Sequence, residues 1–420
     1  MTRLEVEASR PTEAASITVA PPAGLYVHVP FCVSYCPYCD FVVVAGRDAR
    51  GPANRIIAFT EALETELDLR ADALDARWGP SRSSLTTLYF GGGTPSLLPA
   101  ASIAHLIDLV RRRFGLASDA EVSLEVNPGP DERGDAAAFH EAGVTRLSFG
   151  AQSFDAVELR RLGRRHAPAD IAAAVGEARS AGLDSISLDL LYDVPGQTPA
   201  SWSRTIDAAL RLEPDHLSLY ALTLDDPDAE GITGPTGDHL PTRPGARRWR
   251  DRARLEQDDD RAAGMYEDAD RRLVAAGFSW YEISSWARPG HRSRHNLAYW
   301  QGRAWEAVGP GAHAFDGAER RWNAARLDRY LAALAPSDGS PPRLPPGGRQ
   351  AGDGAVRRAE AAILALRTSD GLSAKALDRL PLGPELAWAL DTGILHRVND
   401  RLVLTTTGRL LSNELFARLV

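Results

Sequence analysis

Cysteine is nearly missing from this chain. Of 420 residues only Cys32, Cys36 and Cys39 carry a thiol, and they fall within eight positions. An odd, crowded trio cannot staple a fold of this size, so a disulfide scaffold is excluded. Long apolar runs are missing as well: no stretch approaches the roughly 18 apolar residues that a membrane-spanning helix needs. An excess of positive charge is lacking, since 48 Lys and Arg against 56 Asp and Glu leave a formal charge of −8. That balance argues against a generic nucleic-acid binder, whose footprint would be basic. No repeat of solenoid period is visible. Residues 1–22 form a loose leader with Glu5, Glu7 and Glu13 and no compact apolar block. It does not read as a signal peptide, and a cytoplasmic protein is the expectation.

What remains is ordinary globular material, 44% hydrophobic and 25% charged. From Gly24 onward, short β-rich runs alternate with longer helical patterns. The strand candidates are Leu25–Val29, Leu85–Phe90, Glu121–Val126, Val144–Phe149, Ser185–Leu191 and His216–Leu222. Helical stretches such as Arg55–Ala76, Ser102–Phe114, Asp170–Ala181 and Trp202–Leu212 lie between them. Such alternation predicts crossover connections and a parallel sheet, either doubly wound or an incomplete barrel. Glu125, Gln152 and Asp189 fall at or just after the carboxyl ends of successive strands, the end that hosts ligands in parallel α/β folds. Asp, Pro, Gly and Arg crowd into Asp225–Arg250, which reads as a linker. Ser337–Gly354 is a second weak zone, and the tail from Ala355 reads as helices with an alternating stretch at Arg401–Thr406.

Three thiolates in a tight loop can grip one metal centre. Structural zinc usually wants four ligands in two pairs, and no second pair exists here; zinc completed by a distant His stays an alternative. A [4Fe–4S] cube takes cysteine thiolates at its corners, so three cysteines leave one iron open to chemistry. Elsewhere the chemistry-bearing signals are polar. Gly91-Gly92-Gly93, after a strand, lets backbone approach a ligand closely. Glu125 can accept hydrogen bonds or pair with an ammonium group, and Gln152 offers both a donor and an acceptor. Asp189, between Leu188 and Leu190, is a carboxylate on an apolar strand and needs partners.

The spacing C-x3-C-x2-C just after the first strand resembles the radical S-adenosylmethionine (SAM) superfamily. Further stretches are similar to its coproporphyrinogen III oxidase-like branch and, within that, to the haem chaperone subfamily. They are Tyr26-Val-His-Val-Pro-Phe-Cys32, Gly91-Gly-Gly-Thr-Pro-Ser96, Glu125-Val-Asn-Pro-Gly129 and Arg146-Leu-Ser-Phe-Gly-Ala-Gln-Ser-Phe154. Leu162-Gly-Arg-Arg-His166, Asp189-Leu-Leu-Tyr-Asp-Val-Pro-Gly-Gln-Thr198, Tyr281-Glu-Ile-Ser-Ser285, His295-Asn-Leu-Ala-Tyr-Trp300 and Gly309-Pro-Gly-Ala-His313 continue the series. The likeness runs from about residue 24 to the end, more weakly after 330.

The resemblance implies a partial (β/α)6 parallel barrel at residues 23–225. An accessory haem or substrate region follows at 226–335, and a small helical, winged-helix-like domain at 336–420. It implies a [4Fe–4S] cluster on Cys32, Cys36 and Cys39, with SAM chelating the open iron. Tyr26, Tyr38, Gly91, Gly92, Gly93, Glu125, Gln152, Arg164 and Asp189 are the implied SAM contacts, Arg164 through its planar fork on the carboxylate. His295 is the implied candidate haem ligand, and Arg288, Arg292 and Arg294 candidate propionate partners. His313 is a further candidate, whereas His28 reads as a core histidine. Phe41 stands where the oxidase subfamily carries another cysteine, which leans towards haem binding and delivery. The implied partners are haem or a related tetrapyrrole and haem-accepting apoproteins, respiratory membrane proteins among them, with peripheral membrane contact one option. Coproporphyrinogen III decarboxylation is the first rival, and radical SAM methyl transfer or haem opening the second. Ser285, Asp193 and the loop after Leu224 depart from the family pattern without touching a cluster ligand.

Overall fold

A computed structural model of the chain describes residues 19–45, 55–378 and 382–420. The expected leader lies, up to residue 18, outside the described residues. Two compact units are present. One is built from Ala20–Tyr299 and Arg303–Ala351, and the other contains Gly352–Val420 with Trp300–Gly302.

In the larger unit six strands run parallel and pair in chain order: β1 (Gly24–Val29), β2 (Leu85–Gly92), β3 (Leu116–Val126), β4 (Arg146–Gln152), β5 (Ser185–Tyr192) and β6 (His216–Ala221). Parallel neighbours need a crossover, and each one here contains a helix. These are α1 (Arg55–Trp78), α2 (Ala100–Phe114), α3 (Ala136–Glu141), the pair α4 (Ala156–Arg161) and α5 (Pro168–Ser180), and α6 (Pro199–Arg211). The next two helices are α7 (Pro244–Arg254) and α8 (Asp259–Ala275). Strand order is linear and does not close, so the parallel run is a partial barrel.

The accessory region extends this same sheet at both edges. Antiparallel β7 (Ser279–Glu282) and β8 (Ser285–Ala287) follow β6. On the other side β9 (Trp305–Val308) adds a seventh parallel strand beside β1. Antiparallel β10 (His313–Phe315), β11 (Glu319–Asn323) and β12 (Gly347–Ala351) lie beyond it. Four residues of mixed type, Trp305-Glu-Ala-Val308, carry little strand signal of their own, and β9 owes its state to the edge of β1 that it covers. Because β12 pairs with β11, residues 336–351 stay with the larger unit, and the smaller one starts at Gly352.

Side chains alternate across a strand, and here the two faces have opposite character. Leu25, Val27, Leu88, Phe90, Leu124, Leu147, Ile186, Leu188 and Leu217 are fully buried on one face. Helical stripes such as Phe59, Leu63 and Leu67 of α1 supply further buried apolar side chains, each contributing about 1.5–3 kcal/mol. The opposite face is polar or small: Tyr26, Tyr89, Ser123, Arg146 and Ser185 share one register row, and Glu125, Ser148, Ser187 and His216 another.

The smaller unit holds α11 (Gly354–Leu366), α12 (Leu382–Asp391), α13 (Thr406–Leu410) and α14 (Ser412–Leu419), after α9 (Arg294–Trp300) and α10 (Leu327–Leu334) in the chain. Its sheet has the order β13 (Leu372–Ser373), β15 (Arg401–Leu404), β14 (Leu395–Val398), all antiparallel.

Candidate functional site

The cysteine loop leaves the carboxyl end of β1. Phe31–Cys32 pairs with Val44–Ala45, and the Cys39 amide donates to the Cys36 carbonyl at 3.2 Å. All three thiols are free and half-buried. A polar relay joins two of them across three strand ends. Thr94 Oγ1, after β2, lies 3.5 Å from Cys32 Sγ, and Asn127 Nδ2, after β3, donates to Thr94 Oγ1 at 2.8 Å. Arg164 donates to Asn127 Oδ1, to the Gly150 carbonyl of β4 at 2.9 Å, and lies 3.6 Å from Cys36 Sγ. The loop is held from its other side by Arg250 of α7, which donates to the carbonyls of Pro37 at 3.1 Å and Cys39 at 3.0 Å. Arg250 also engages Asp40 and the Asp225 carbonyl. Sequence reasoning passed over Arg250 because it sits in an Arg-rich helix where neighbouring guanidinium groups look alike.

Burial pushes the Cys32 thiol up to about 11 and Cys39 higher still. Such thiols give up their protons to a bound cation, which is how metal binding couples to proton release. Among the described residues no group of three or more His, Cys, Asp or Glu converges as the shell of one ion. A cube asks for something different: each thiolate takes its own iron, so three cysteines on one loop suit it without converging on a single point.

Beside the loop is a cradle. Gly92 has φ +111°, and a Cβ there would meet the His28 ring at 2.5–2.9 Å. A Cβ on Gly93 would stand 2.6 Å from the Phe31 carbonyl, and one on Gly91 would touch Tyr26, Tyr89 and Glu125. Glu125 accepts from the Tyr89 hydroxyl and the Gly92 amide, both at 2.9 Å. Burial raises it to about 7 despite those two bonds. Asp189 accepts from Ser148 Oγ at 3.1 and 3.2 Å and is raised by burial to about 6. Gln152 ends β4 after a register shift, with φ +64°, a left-handed conformation uncommon outside glycine. The Tyr26 hydroxyl donates to His28 Nδ1 at 3.0 Å, and His28 Nε2 donates to the Val42 carbonyl at 2.8 Å. Burial lowers His28 to about 4, so it is a neutral core histidine. Tyr38 packs on a cluster of Leu162, Leu191, Val194 and Leu224 and against Trp249. Arg164 keeps a buried Nε without a partner, a spare donor beside Cys36. Close backbone approach, a buried acid and a free guanidinium donor suit a ligand with both ammonium and carboxylate groups.

His295 lies elsewhere. Its ring is 1% exposed and stacks on Tyr89, centroids 5.0 Å apart. Nδ1 meets Thr87 Oγ1 at 2.8 Å and Nε2 meets the Tyr299 hydroxyl at 2.7 Å. Thr87 pairs with Gly24, the first residue of β1, so this cluster sits at the amino ends of the strands, away from the cysteines. An axial ligand needs a ring nitrogen facing open space, and this ring has none to offer; His295 braces the barrel from within. Arg288 and Arg294 are also engaged there, donating to the carbonyls of Pro214 at 3.2 Å and Asp119 at 2.6 Å. Arg292 lies over the Tyr281 ring.

One residue of catalytic type that the sequence hid is Glu66. It is fully buried on the apolar stripe of α1 and accepts from the Gly309 amide at 2.9 Å, Tyr330 at 2.8 Å, Asn323 at 2.8 Å and Arg70. In sequence Glu66–Arg70 is one of several i, i+4 Glu–Arg pairs, ordinary on a solvated helix face, and only burial sets it apart.

An open parallel sheet with a three-cysteine loop and a glycine cradle at its carboxyl end defines the radical SAM class. The family model of the Radical SAM superfamily matches residues 26–209. Over 401 residues, 95% of each chain, the sequence is 39% identical to the Heme chaperone HemW of Mycobacterium tuberculosis (strain CDC 1551 / Oshkosh). It is 36% identical over 293 residues, 70% of each chain, to the Heme chaperone HemW of Escherichia coli (strain K12). The chain belongs to the HemW family of the radical SAM superfamily. The solved structure of coproporphyrinogen III oxidase (HemN) from Escherichia coli shares the fold, with a TM-score of 0.75 over 97% of this chain and 92% of that one at 24% identity.

Proposed function

We propose that this protein binds haem and delivers it to haem-dependent apoproteins, while holding a [4Fe–4S] cluster on Cys32, Cys36 and Cys39 and SAM beside it. The observation that carries this reading is identity of 39% to a named haem chaperone over 95% of both chains, which extends well beyond the barrel. When bound, the cluster and SAM supply one-electron chemistry. The protein's own part is to place and shield them. Arg164 offers Nε and its charge to the SAM carboxylate, and the Gly91–Gly93 backbone lines the path of the ammonium. Glu125, Gln152 and Asp189 supply acceptors and donors for the sugar, Tyr38 flanks the base, and Tyr26 is aimed through His28 at the loop.

Phe41 supports delivery over oxidation. It stands directly after the cysteine loop, is 66% exposed, and brings no fourth thiol. The C-terminal unit, whose helices accompany the β14–β15 hairpin, is read as a winged-helix-like docking module. Among the described residues no helix is long and apolar enough to cross a membrane, so membrane recipients would be met from the surface.

The test is anaerobic reconstitution followed by iron and sulfide analysis, haem titration, and transfer to an apo-haem protein. Four irons per chain, haem bound, and haem recovered in the recipient are the expected results. Turnover of coproporphyrinogen III to protoporphyrinogen IX would replace this reading with the oxidase.

A further inference from the structure

A cavity of about 190 Å³ lies between α1 and the strands β9 to β12, wholly within the larger unit. Trp305 of its lining pairs with Gly24, the first residue of β1. The cavity is therefore at the start of that strand, whereas the cysteine loop leaves its carboxyl end. Leu74 and Trp78 of α1, together with Leu344, line it with apolar surface. Its charges are four guanidinium groups, on Arg70, Arg77, Arg321 and Arg349, against three carboxylates, on Glu306, Asp316 and Glu319.

Most of these charges are met. Arg77 donates to Asp316 at 2.9 Å, and Arg349 to Glu319 at 3.2 Å. Arg70 lies 3.1 Å from Glu66 and donates to Asn323 Oδ1 at 2.9 Å. Arg321 is met only in part. Its Nη2 engages Glu306 and donates to the Ala307 carbonyl at 3.0 Å. Its Nη1 is buried and has no hydrogen-bond partner among the described residues. The surroundings sharpen that deficit. Glu306 shares its register position with Leu25, so the ion pair sits on the apolar face of the sheet. Arg321 also stands directly opposite Arg349 in the β11–β12 ladder, where like charges repel. Burial, then the nearby Arg70 and Arg349, push Arg321 down to about 9 despite Glu66. It remains a cation at neutral pH, short of anionic partners.

We propose that this cavity binds a small carboxylate with a body the size of one aromatic ring, its oxygens taken up by the Arg321 guanidinium. A planar guanidinium fork matches a carboxylate, and an anion at this place offers Nη1 an acceptor and offsets the repulsion between Arg321 and Arg349. The size agrees. An apolar cavity of about 150 Å³ already admits benzene. At about 190 Å³ this one suits a ring-sized body and is too small for a tetrapyrrole. Leu74, Trp78 and Leu344 supply the apolar contact. The inference goes beyond the haem-delivery reading and does not depend on it.

The test adds para-fluorobenzoate to full-length protein with its cluster reconstituted and follows the fluorine NMR signal. Saturable binding is expected. The neutral para-fluorobenzyl alcohol should bind at least about tenfold more weakly, the worth of a charge-assisted hydrogen bond. Arg321→Gln should weaken para-fluorobenzoate by at least about tenfold for the same reason. That variant also leaves Glu306 without its cation, so a second one touches no charge. Ala73→Trp, from an exposed position of α1 that lines the cavity, should fill it and abolish binding with iron content unchanged. It decides the matter if Arg321→Gln does not fold. Absence of saturable binding to the wild-type protein, or equal affinity for acid and alcohol, would overturn the proposal. Undiminished binding in Arg321→Gln or in Ala73→Trp would do the same.

Discussion

Gly92→Ala tests the cradle most directly. Two separate costs arise at this position. The backbone sits at φ +111°, where a Cβ costs about 1–2 kcal/mol. The new Cβ would also stand 2.5 Å from His28 Cε1. That ring cannot swing aside freely, because Tyr26 holds Nδ1 and the Val42 carbonyl holds Nε2. Breaking one of those buried bonds costs about 1–3 kcal/mol. The combined penalty is about 2–5 kcal/mol, a large share of a usual stability of about 5–15 kcal/mol. Its effect is local: Val42 belongs to the chain leaving Cys39, and Gly92 donates to Glu125. Only the share of this penalty that differs between free and bound protein weakens binding, and 2 kcal/mol of it corresponds to about a 30-fold loss. Gly79→Ala isolates the backbone cost, since Gly79 has φ +80° and nothing within 4 Å of an added Cβ. Anaerobic equilibrium dialysis of SAM, with iron counted in the same samples, should show G92A binding SAM at least about 30-fold more weakly and G79A unchanged. Equal SAM affinity in G92A and wild type would refute the cradle and the role of His28 behind it.

Arg250→Ala removes the ties to Pro37, Cys39 and Asp40; it should cost about 2–3 kcal/mol, less than the ~3–5 of a fully buried pair because Asp40 is 30% exposed. Its readout is a lower iron content with unchanged far-ultraviolet circular dichroism, and full iron loading would count against it. Glu66→Gln puts an NH2 group among the donors of Arg70, Asn323, Tyr330 and the Gly309 amide, and should cost about 3–5 kcal/mol in denaturant unfolding. The pH dependence has an unusual sign. Glu125 and Asp189 are raised by burial from 4.5 to about 7 and from 3.8 to about 6, so the folded state holds protons that the unfolded chain has released. Without SAM, their contribution to stability is therefore fully present below about pH 4 and declines as pH rises towards about 7. Glu125→Gln should flatten that decline, and an unchanged slope would show that other groups set it.

Much of this architecture was legible because its signals are local and periodic. The parallel strands β1 to β6 appear as short β-branched and leucine-rich runs, and their starts and ends fall within a few residues of the expected ones except for β3, which begins earlier, at Leu116. The edge strands were not legible. β9 and β12 are short and carry ordinary residues, and their pairing depends on sheet edges formed by distant segments. For the site, cysteine spacing and the glycine triplet are signals in themselves. Arg250 and Glu66 are not, since what distinguishes them is burial at 3% and 0% exposure, a property of the assembled fold.

His295 shows where motif reading and geometry part. The segment His295-Asn-Leu-Ala-Tyr-Trp300 looks functional because it gathers an imidazole and two aromatic rings. In a helical turn, however, residues four apart face each other, and His295 meets Tyr299 there instead of a ligand. Thr87 and Tyr89, two positions apart on β2, point to the same side and complete the enclosure. The polar face of the sheet is thus divided lengthwise. Its amino end is filled by rings whose polar atoms satisfy one another, with burial lowering His295 to about 3 and keeping it neutral. Its carboxyl end keeps raised acids, a guanidinium nitrogen without a partner, and glycines where side chains would otherwise stand. Raised acids and glycine backbone left open, and not the presence of reactive residue types alone, mark the end where a ligand gains most by binding.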